Sequence, residues 1–341
     1  MAEGDSKTRA RAPTTRFGEG FLTDIWYFAA LSRDLKPGKL QRYELLGEPV
    51  LLGRDRRGRA YAIRDICPHR AAPLSAGKLV TEADGAESVE CPYHGWRFGT
   101  DGACRAIPSL VADQAMDVSK IQVRRFPVQE SQVVGGAPKL VDGMDFDSHI
   151  DHAVVGLMDP AHGPYVHQQW WWRSSKSQHE KSKRFEPREA GFSMVRHEPS
   201  KNSRAYAILG GEPLTEITFR IPGLRWEHVT VGRRQVLSLT CLTPLNERKT
   251  RITQIVWSDH PAFGLLRPFI AAGARAFLRQ DGDMVNLQNE GLRYDPSLLW
   301  IDDADRQAKW YQQLKREWLA SRREGRPFVN PVEPAQLRWR S

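Results

Sequence analysis

Short apolar runs separated by Gly, Pro and Asp characterise the chain from 26 to 140. Examples are 50–52, 60–63 and 121–123. Runs of this length that are bounded by turn-forming residues are typical of short β-strands. The pattern therefore predicts a small, all-β N-terminal domain.

The pattern after residue 190 predicts first a sheet and then helices. Further β-like runs suggest one antiparallel sheet; they occupy 205–209, 216–221, 236–242 and 252–257. After Pro261, apolar residues recur at spacings of three and four, as one buried helix face requires. They are Leu266, Phe269, Ile270, Ala274, Phe277 and Leu278. Asp281 follows directly on this predicted helix.

A last amphipathic helix is predicted from Trp310, Leu314 and Trp318, which lie at intervals of four. The sequence beyond Gly325 is too rich in Pro to continue it. A chain of 341 residues is long enough for two domains. We expect a flexible N-terminal tail at 1–20, domains at 21–140 and 141–325, and a C-terminal tail at 326–341.

Composition narrows the class of protein. Apolar residues make up 40% of the chain and charged residues 27%, as in a compact globular protein. No apolar run approaches the roughly 20 residues that span a bilayer, since 264–278 is interrupted by Arg267 and Arg275. The first sixteen residues lack the apolar segment of a secretory signal, and four cysteines are too few for a disulfide framework. We therefore expect a soluble, cytoplasmic protein without a transmembrane segment.

The net charge of +9 does not by itself indicate a nucleic-acid-binding protein. The basic residues are spread along the chain, and no nucleic-acid-binding motif accompanies them. A positive surface could instead speed the approach of an acidic redox partner. We expect no nucleic-acid partner.

Two Cys-and-His pairs are the most specific signal in the sequence. Cys67-Pro-His69 is followed after 21 residues by Cys91-Pro-Tyr-His94-Gly-Trp96. Two thiolates and two imidazoles are the ligands of a Rieske [2Fe-2S] centre, in which Cys binds one iron and His the other. Zinc also accepts both ligand types, but structural zinc sites commonly use Cys-Cys or His-His pairs rather than mixed ones. The pattern therefore favours the cluster.

These two loops resemble those of the Rieske non-haem iron oxygenases. The resemblance implies an α+β protein, in which an all-β Rieske 2Fe-2S domain precedes a helix-grip catalytic domain of antiparallel sheet plus helices. It also implies a second cofactor, a mononuclear Fe(II). The segment from Asp159 to His167 resembles the family's Asp-x2-His-x4-His signature, whose histidines bind that iron. His162 and His167 are accordingly its candidate ligands.

The spacing of this His pair sets a condition on the backbone. Residues five apart on a regular helix lie about 140° apart around its axis, so they could not bind one metal ion. A widened or broken helix would bring them together, and Gly163-Pro164 is where we expect the irregularity. An isolated His-x4-His pair would otherwise be taken as two ordinary histidines.

The resemblance also implies a carboxylate ligand, carried on a C-terminal helix. Asp281 is the candidate, with Asp283 the alternative and Gln288 following as in related sequences. Two histidines and one carboxylate form the facial triad of ferrous oxygenases. Asp159 matches a family residue that connects an iron His to a cluster His of a neighbouring subunit, and is the candidate catalytic residue. Its alternative role is a helix N-cap before Pro160.

The resemblance implies a terminal oxygenase that uses O2 to hydroxylate or oxidatively demethylate an apolar ring compound, aromatic or steroid-like. No Gly-x-Gly-x-x-Gly fingerprint is present, so a ferredoxin and/or an NAD(P)H-dependent flavin reductase would supply electrons. A homotrimer is implied as well. The alternative is a non-catalytic Rieske electron-transfer protein without a working second iron. Trp170, Trp171 and Trp172 could line a pocket, although packing is the favoured role of such aromatics.

Overall fold

The computed structural model describes residues 14–111, 113–114, 116–133, 136–167, 178–199 and 211–341, without the side chains of 262, 265 and 266. The chain divides into two compact units. The small unit is Ala29–Gly135, and the large unit combines Met1–Phe28 with Gly136–Ser341. Residues 21–28, predicted within the N-terminal domain, thus belong to the large unit.

The small unit consists of two four-stranded antiparallel sheets. The first has the order β1-β2-β3-β8, with β1 at Leu40–Leu45, β2 at Glu48–Arg54, β3 at Ala60–Arg64 and β8 at Arg125–Phe126. The second has the order β4-β5-β6-β7, with β4 at Lys78–Thr81, β5 at Glu87–Glu90, β6 at Arg97–Gly99 and β7 at Cys104–Ala106.

Alternating apolar side chains fill the core of the small unit. Leu51, Ile63, Val89 and Phe98 are completely buried there. The runs at 50–52 and 60–63 are strands, as predicted. The run at 121–123 is not a strand, because only Gln122 forms an isolated bridge, to Ala103. Most of its backbone bonds instead to neighbouring loops.

The large unit is built on one antiparallel sheet of eight strands, in the order β16-β10-β11-β12-β13-β14-β15-β9. Its strands are β9 at Leu140–Phe146, β10 at Glu180–Arg188, β11 at Gly191–His197, β12 at Pro213–Arg220, β13 at Leu224–Val231, β14 at Arg234–Asn246, β15 at Lys249–Ser258 and β16 at Ala335–Arg340. The predicted single antiparallel sheet and α+β class are confirmed. The predicted run at 205–209 lies outside the described residues.

Four α-helices of the described chain belong to this unit: α1 at Ile150–Met158, α2 at Gly163–Val166, α3 at Pro261–Leu292 and α4 at Arg306–Glu324. The amphipathic helix predicted from Trp310, Leu314 and Trp318 is α4, and Trp310 and Leu314 are buried in the main core. Helix α3 is longer than expected and continues past Asp281. Phe269 was assigned to its buried face wrongly, for that side chain is 75% exposed.

The two predicted tails contribute to the large unit. Residues 326–341 include β16, which pairs with β10 and buries Leu337 and Trp339. At the other end, Phe17 packs against the main core and the Gly18 N–H donates to Asp151. Both segments carry apolar side chains that leave water on packing, so the expectation of tails at 14–20 and 326–341 was wrong. No helix among the described residues is long and apolar enough to span a membrane.

Candidate metal centres

The two Cys-and-His loops of the small unit have the same backbone hydrogen bonds. In the first loop, Cys67 donates its N–H to Ala72 and accepts from the N–H of Ala71, both at 2.9 Å. In the second, Cys91 donates to Trp96 at 2.8 Å and accepts from Gly95 at 3.1 Å. Each cysteine thus closes a tight loop with the residues four and five positions after it.

A left-handed residue completes each loop. Ala71 has φ +57° and Gly95 has φ +70°. Glycine adopts this conformation without steric cost, whereas alanine adopts it at some cost that the loop hydrogen bonds offset. This local geometry explains why each Cys and the His two or three residues after it form a compact pair.

The tips of the two loops meet. The His69 and His94 rings lie 4.6 Å apart between centroids, and the Trp96 ring stacks on His69 at 4.8 Å with an interplanar angle of 6°. Cys67 and Cys91 are buried, whereas both histidines are exposed. The structure therefore brings together all four candidate cluster ligands.

The surroundings of Cys67 disfavour the ionised form of its thiol. Burial, together with the nearby Cys91 thiol, raises the pKa of the Cys67 thiol to about 11, although the backbone N–H groups of His69 and Arg70 oppose this change. Coordination deprotonates a thiol outright. Two buried thiols and two exposed imidazoles fit a Rieske cluster, whose cysteines bind one iron and whose histidines bind the other.

In the large unit, the backbone between His162 and His167 is not a continuation of α1. Helix α1 ends at Met158, and a separate turn of helix, α2, begins at Gly163. His162 and His167 are the N-cap and C-cap residues of α2. The irregularity expected at Gly163-Pro164 is absent, because both residues lie within the helical turn α2. The helix is instead interrupted earlier, between Met158 and Gly163.

Asp159 lies at the C-cap of α1 with extended backbone angles. Its Oδ1 accepts a hydrogen bond from the Ala161 N–H at 2.7 Å, which stabilises the turn between the two helices. The alternative role of Asp159 as a helix N-cap is therefore wrong. The same carboxylate faces His162, with Oδ2 3.6 Å from Nδ1.

Helix α3 brings its acidic residue to this His pair. Asp281 Oδ1 lies 3.2 Å from His167 Nε2 and 3.8 Å from His162 Nε2, while the two Nε2 atoms are 3.2 Å apart. One ligand atom from each residue lies within 4.8 Å of the others. Asp283 is exposed and does not belong to this group.

Packing of α3 against the sheet fixes the position of Asp281. The adjacent Gly282 is buried, and a Cβ there would lie 3.4 Å from the Phe146 ring of β9. About two turns of helix earlier, Arg275 forms an ion pair with Asp142, also on β9, at 2.5 Å. Contacts at two points along one face of β9 therefore hold this part of α3.

The two histidines have different partners on their other ring nitrogen. His167 Nδ1 lies 3.0 Å from Gln280 Oε1, within hydrogen-bonding distance. The distance from His162 Nδ1 to Asp159 is too long for an ordinary hydrogen bond, so that contact is mainly electrostatic. Burial lowers the pKa of His162, but the carboxylates of Asp159 and Asp281 outweigh it and raise the pKa overall.

The three donors fit a divalent metal ion. Ligand atoms bound about 2.1 Å from an ion at right angles lie about 3 Å apart, close to the separations of 3.2, 3.2 and 3.8 Å. Two imidazoles and one carboxylate are the ligand set of non-haem ferrous oxygenases. His167 is buried, whereas the His162 and Asp281 side chains are 25% and 33% exposed, so the group is accessible from one side.

The sequence did not identify the residues that surround His167. Phe277 stacks on its ring at 4.2 Å between centroids, and Gln280 contacts its Nδ1. Phe277, Gln280 and Asp281 are spaced by three and four, so they share one face of α3. With Asp281 as the candidate ligand, this spacing would have placed Phe277 and Gln280 on the face of α3 that meets the His pair. Trp170, Trp171 and Trp172 lie outside the described residues.

Comparison with known proteins places these centres in context. A family model described as the Rieske [2Fe-2S] domain matches residues 25–127. Chlorophyllide a oxygenase, chloroplastic, of Chlamydomonas reinhardtii is 44% identical over 103 residues, which are 30% of this chain and 15% of that protein. The oxygenase component of dicamba O-demethylase from Stenotrophomonas maltophilia is 34% identical over 172 residues, 43% of this chain and 48% of that protein.

A structural match extends over most of the chain. The crystal structure of dicamba monooxygenase bound to dicamba superposes with a TM-score of 0.68 at 21% identity, covering 89% of this chain and 99% of that one. The sequence matches to the first curated relatives span only 15% to 48% of those proteins' lengths. The chain thus carries a Rieske [2Fe-2S] domain, as its motifs predicted, and shares its fold with dicamba monooxygenase.

Proposed function

We propose that the protein is the terminal oxygenase of a multicomponent Rieske system. The observation that carries the proposal is the group formed by His162, His167 and Asp281, whose ligand atoms lie within 4.8 Å of one another on a chain that also has a Rieske domain. A Rieske cluster alone transfers electrons, whereas a second site with open positions is suited to oxygen chemistry.

Each proposed ligand has a distinct role. Cys67, His69, Cys91 and His94 bind the 2Fe-2S cluster, and His162, His167 and Asp281 bind ferrous iron. When bound, that iron supplies the activation of O2, and the protein orients the substrate toward it. The accessible side of the group, next to the partly exposed His162 and Asp281 side chains, leaves room for O2 and substrate.

Asp159 acts through His162. Its carboxylate faces His162 Nδ1. This contact leaves Nε2, on the opposite side of the ring, directed toward Asp281 and His167. Outer carboxylates of this kind fix the tautomer and orientation of a metal-bound imidazole. In the proposed homotrimer, Asp159 also connects to a cluster histidine of a neighbouring subunit. A purified protein that was fully active as a strict monomer would contradict the trimer.

The proposed reaction is hydroxylation or oxidative demethylation of an apolar, ring-containing substrate, aromatic or steroid-like. Similarity to proteins named dicamba O-demethylase and chlorophyllide a oxygenase supports this class. Electrons come from a ferredoxin and/or an NAD(P)H-dependent flavin reductase in the cytoplasm. The description of one relative as an oxygenase component supports a separate reductase.

The competing function is electron transfer without a working second iron. The proximity of His162, His167 and Asp281 argues against it, because unrelated residues have no reason to direct three metal-binding atoms at one point. Iron content distinguishes the two. An oxygenase binds about three irons per chain, two in the cluster and one at the triad, whereas the carrier binds about two.

The test combines iron analysis with oxygen consumption by the full chain and a surrogate reductase. We expect about three irons per chain and O2 uptake that depends on an added aromatic or steroid substrate. His167→Ala should lose one iron and all substrate-dependent uptake while retaining the visible spectrum of the cluster. A wild-type protein with two irons and no uptake for any substrate would support the electron carrier instead.

A further inference from the structure

The two imidazoles of the proposed iron site differ in the chemistry of their outer contacts. His162 faces the Asp159 carboxylate, which is charged. His167 contacts Gln280, whose side-chain amide is neutral and can both donate and accept hydrogen bonds. This asymmetry has consequences for how readily each ring binds a metal.

The geometry around His167 determines which tautomer can bind metal. Its Nε2 lies 3.2 Å from Asp281 Oδ1 and 3.2 Å from His162 Nε2, so Nε2 is the atom directed at the triad. A metal requires a lone pair on Nε2, and a neutral imidazole then carries its proton on Nδ1. That Nδ1–H points at Gln280 Oε1, 3.0 Å away.

The other tautomer can also form a hydrogen bond at each ring nitrogen when no metal is bound. A proton on Nε2 would be donated to the Asp281 carboxylate, and Nδ1 would then accept from the amide NH2 of Gln280 after rotation of that amide. Glutamine can serve both tautomers, whereas an ionised glutamate can only accept and would favour Nδ1–H alone.

We propose that Gln280 is a positioning residue, which selects the metal-binding tautomer of His167 through its amide oxygen and so sets the metal affinity of the triad. The inference rests on the proposed function, because it assumes that His162, His167 and Asp281 bind a metal. Its position one residue before Asp281 places the acceptor on the same rigid turn of α3 as the carboxylate ligand.

The packing of the ring strengthens this assignment. Phe277 stacks on His167 with an interplanar angle of 26°, and the imidazole is only 7% exposed. Stacking restricts the tilt of the ring but does not distinguish its two nitrogens. The hydrogen bond to Gln280 is the contact that does so, and outer partners of metal-bound histidines commonly affect affinity by about 10- to 100-fold.

The test measures metal binding in the full chain with its cluster intact. The mononuclear site is emptied by a mild chelator and titrated with Co2+, whose visible absorption reports the site. The variants are Gln280→Leu, which removes the acceptor, and Gln280→Glu, which strengthens it. Gln288→Leu is the matched control, because Gln288 is an exposed glutamine of the same helix outside the triad.

We expect Gln280→Leu to weaken Co2+ binding by about 10- to 100-fold, and Gln280→Glu to bind at least as tightly as the wild type. Gln288→Leu should match the wild type. A residue that merely packs would give the reverse order, with Leu tolerated and the charge of a half-buried Glu penalised. That order, or equal affinity in all four proteins, would overturn the inference.

The same titration separates this inference from the proposed function. If wild-type protein and Asp281→Ala bind Co2+ equally or not at all, the triad itself is wrong. If Asp281→Ala abolishes binding but Gln280→Leu does not weaken it, only the role of Gln280 is wrong. An unchanged cluster spectrum in each variant shows that the chain has folded.

Discussion

Asp281 Oδ1 lies 3.2 Å from His167 Nε2, whereas Asp283, two residues further along α3, is exposed and outside the triad. Residues two apart on a helix point about 200° apart around the axis, so the two carboxylates cannot exchange roles without rotation of the helix. Variants of Asp281 and Asp283 can therefore show which of the two carboxylates is the third metal ligand.

We expect Asp281→Ala to reduce the iron content from about three to about two per chain and to abolish substrate-dependent oxygen uptake. Asp283→Ala should retain both. Iron analysis and oxygen electrode measurements on the two variants check this. Full iron occupancy in Asp281→Ala would mean that another residue supplies the third ligand.

The cluster ligands are tested by comparing serine variants of two cysteines in the small unit. Cys91→Ser should lose the visible absorption of the cluster and about two irons per chain, because a serine oxygen is a poor ligand for this soft site. Cys104→Ser is the control, since Cys104 is also buried in the small unit but lies on β7. Retention of the cluster in Cys91→Ser, measured by absorption and EPR, would remove Cys91 from the ligand set.

A buried ion pair makes the large unit sensitive to one lysine. Lys315 Nζ of α4 lies 2.6 Å from Asp151 Oδ2 of α1, and the two side chains are 3% and 1% exposed. Lys315→Met would leave the carboxylate without its cation, at a cost of about 3–5 kcal/mol. Among the described residues, the Tyr311 hydroxyl at 2.6 Å and the Gly18 N–H at 2.8 Å would still donate to the carboxylate, and His149 Nδ1 lies 3.6 Å from it.

The urea midpoint of the large unit is the measurement for this change. Lys309→Met on the same helix is the control, because Lys309 is 37% exposed and lies 3.9 Å from Asp302; an exposed pair of this kind contributes about 0–1 kcal/mol. Equal midpoints for the two variants would show that Lys315 is not required to balance Asp151.

His152 should make the large unit sensitive to acid. Burial lowers the pKa of His152 to about 4, an effect that the Asp151 carboxylate opposes. A histidine whose folded-state pKa is depressed contributes its full stability above its ordinary value of 6.5, and loses it as the pH falls toward 4. The loss for this residue is about 3 kcal/mol at most.

The variant His152→Phe removes the titrating group and keeps an aromatic ring beside Phe17, whose ring centroid lies 4.8 Å from that of His152. We expect the difference in urea midpoint between pH 7 and pH 4.5 to be smaller for His152→Phe than for the wild type. An equal difference in the two proteins would assign the acid sensitivity to other groups.

The sequence alone predicted the cluster loops, because their information is local. Each loop places its Cys and His within four positions, and closes with a hydrogen bond between residues four apart. The His pair is similarly local, since only the single helical turn α2 separates His162 from His167. The short β-like runs were enough to predict an all-β N-terminal domain and one antiparallel sheet, whereas the α+β class came from the resemblance of the cluster loops.

Only the tertiary structure decided the third proposed ligand and its surroundings. Gln280 is 113 residues from His167, and its contact depends on how α3 packs on β9. Helix periodicity places residues on faces but does not say which neighbour each face will meet, so it misassigned Phe269 and ended the helix at Asp281. The terminal segments were misjudged for the same reason, because the packing of Phe17 and the burial of Trp339 depend on partners that are distant in the chain.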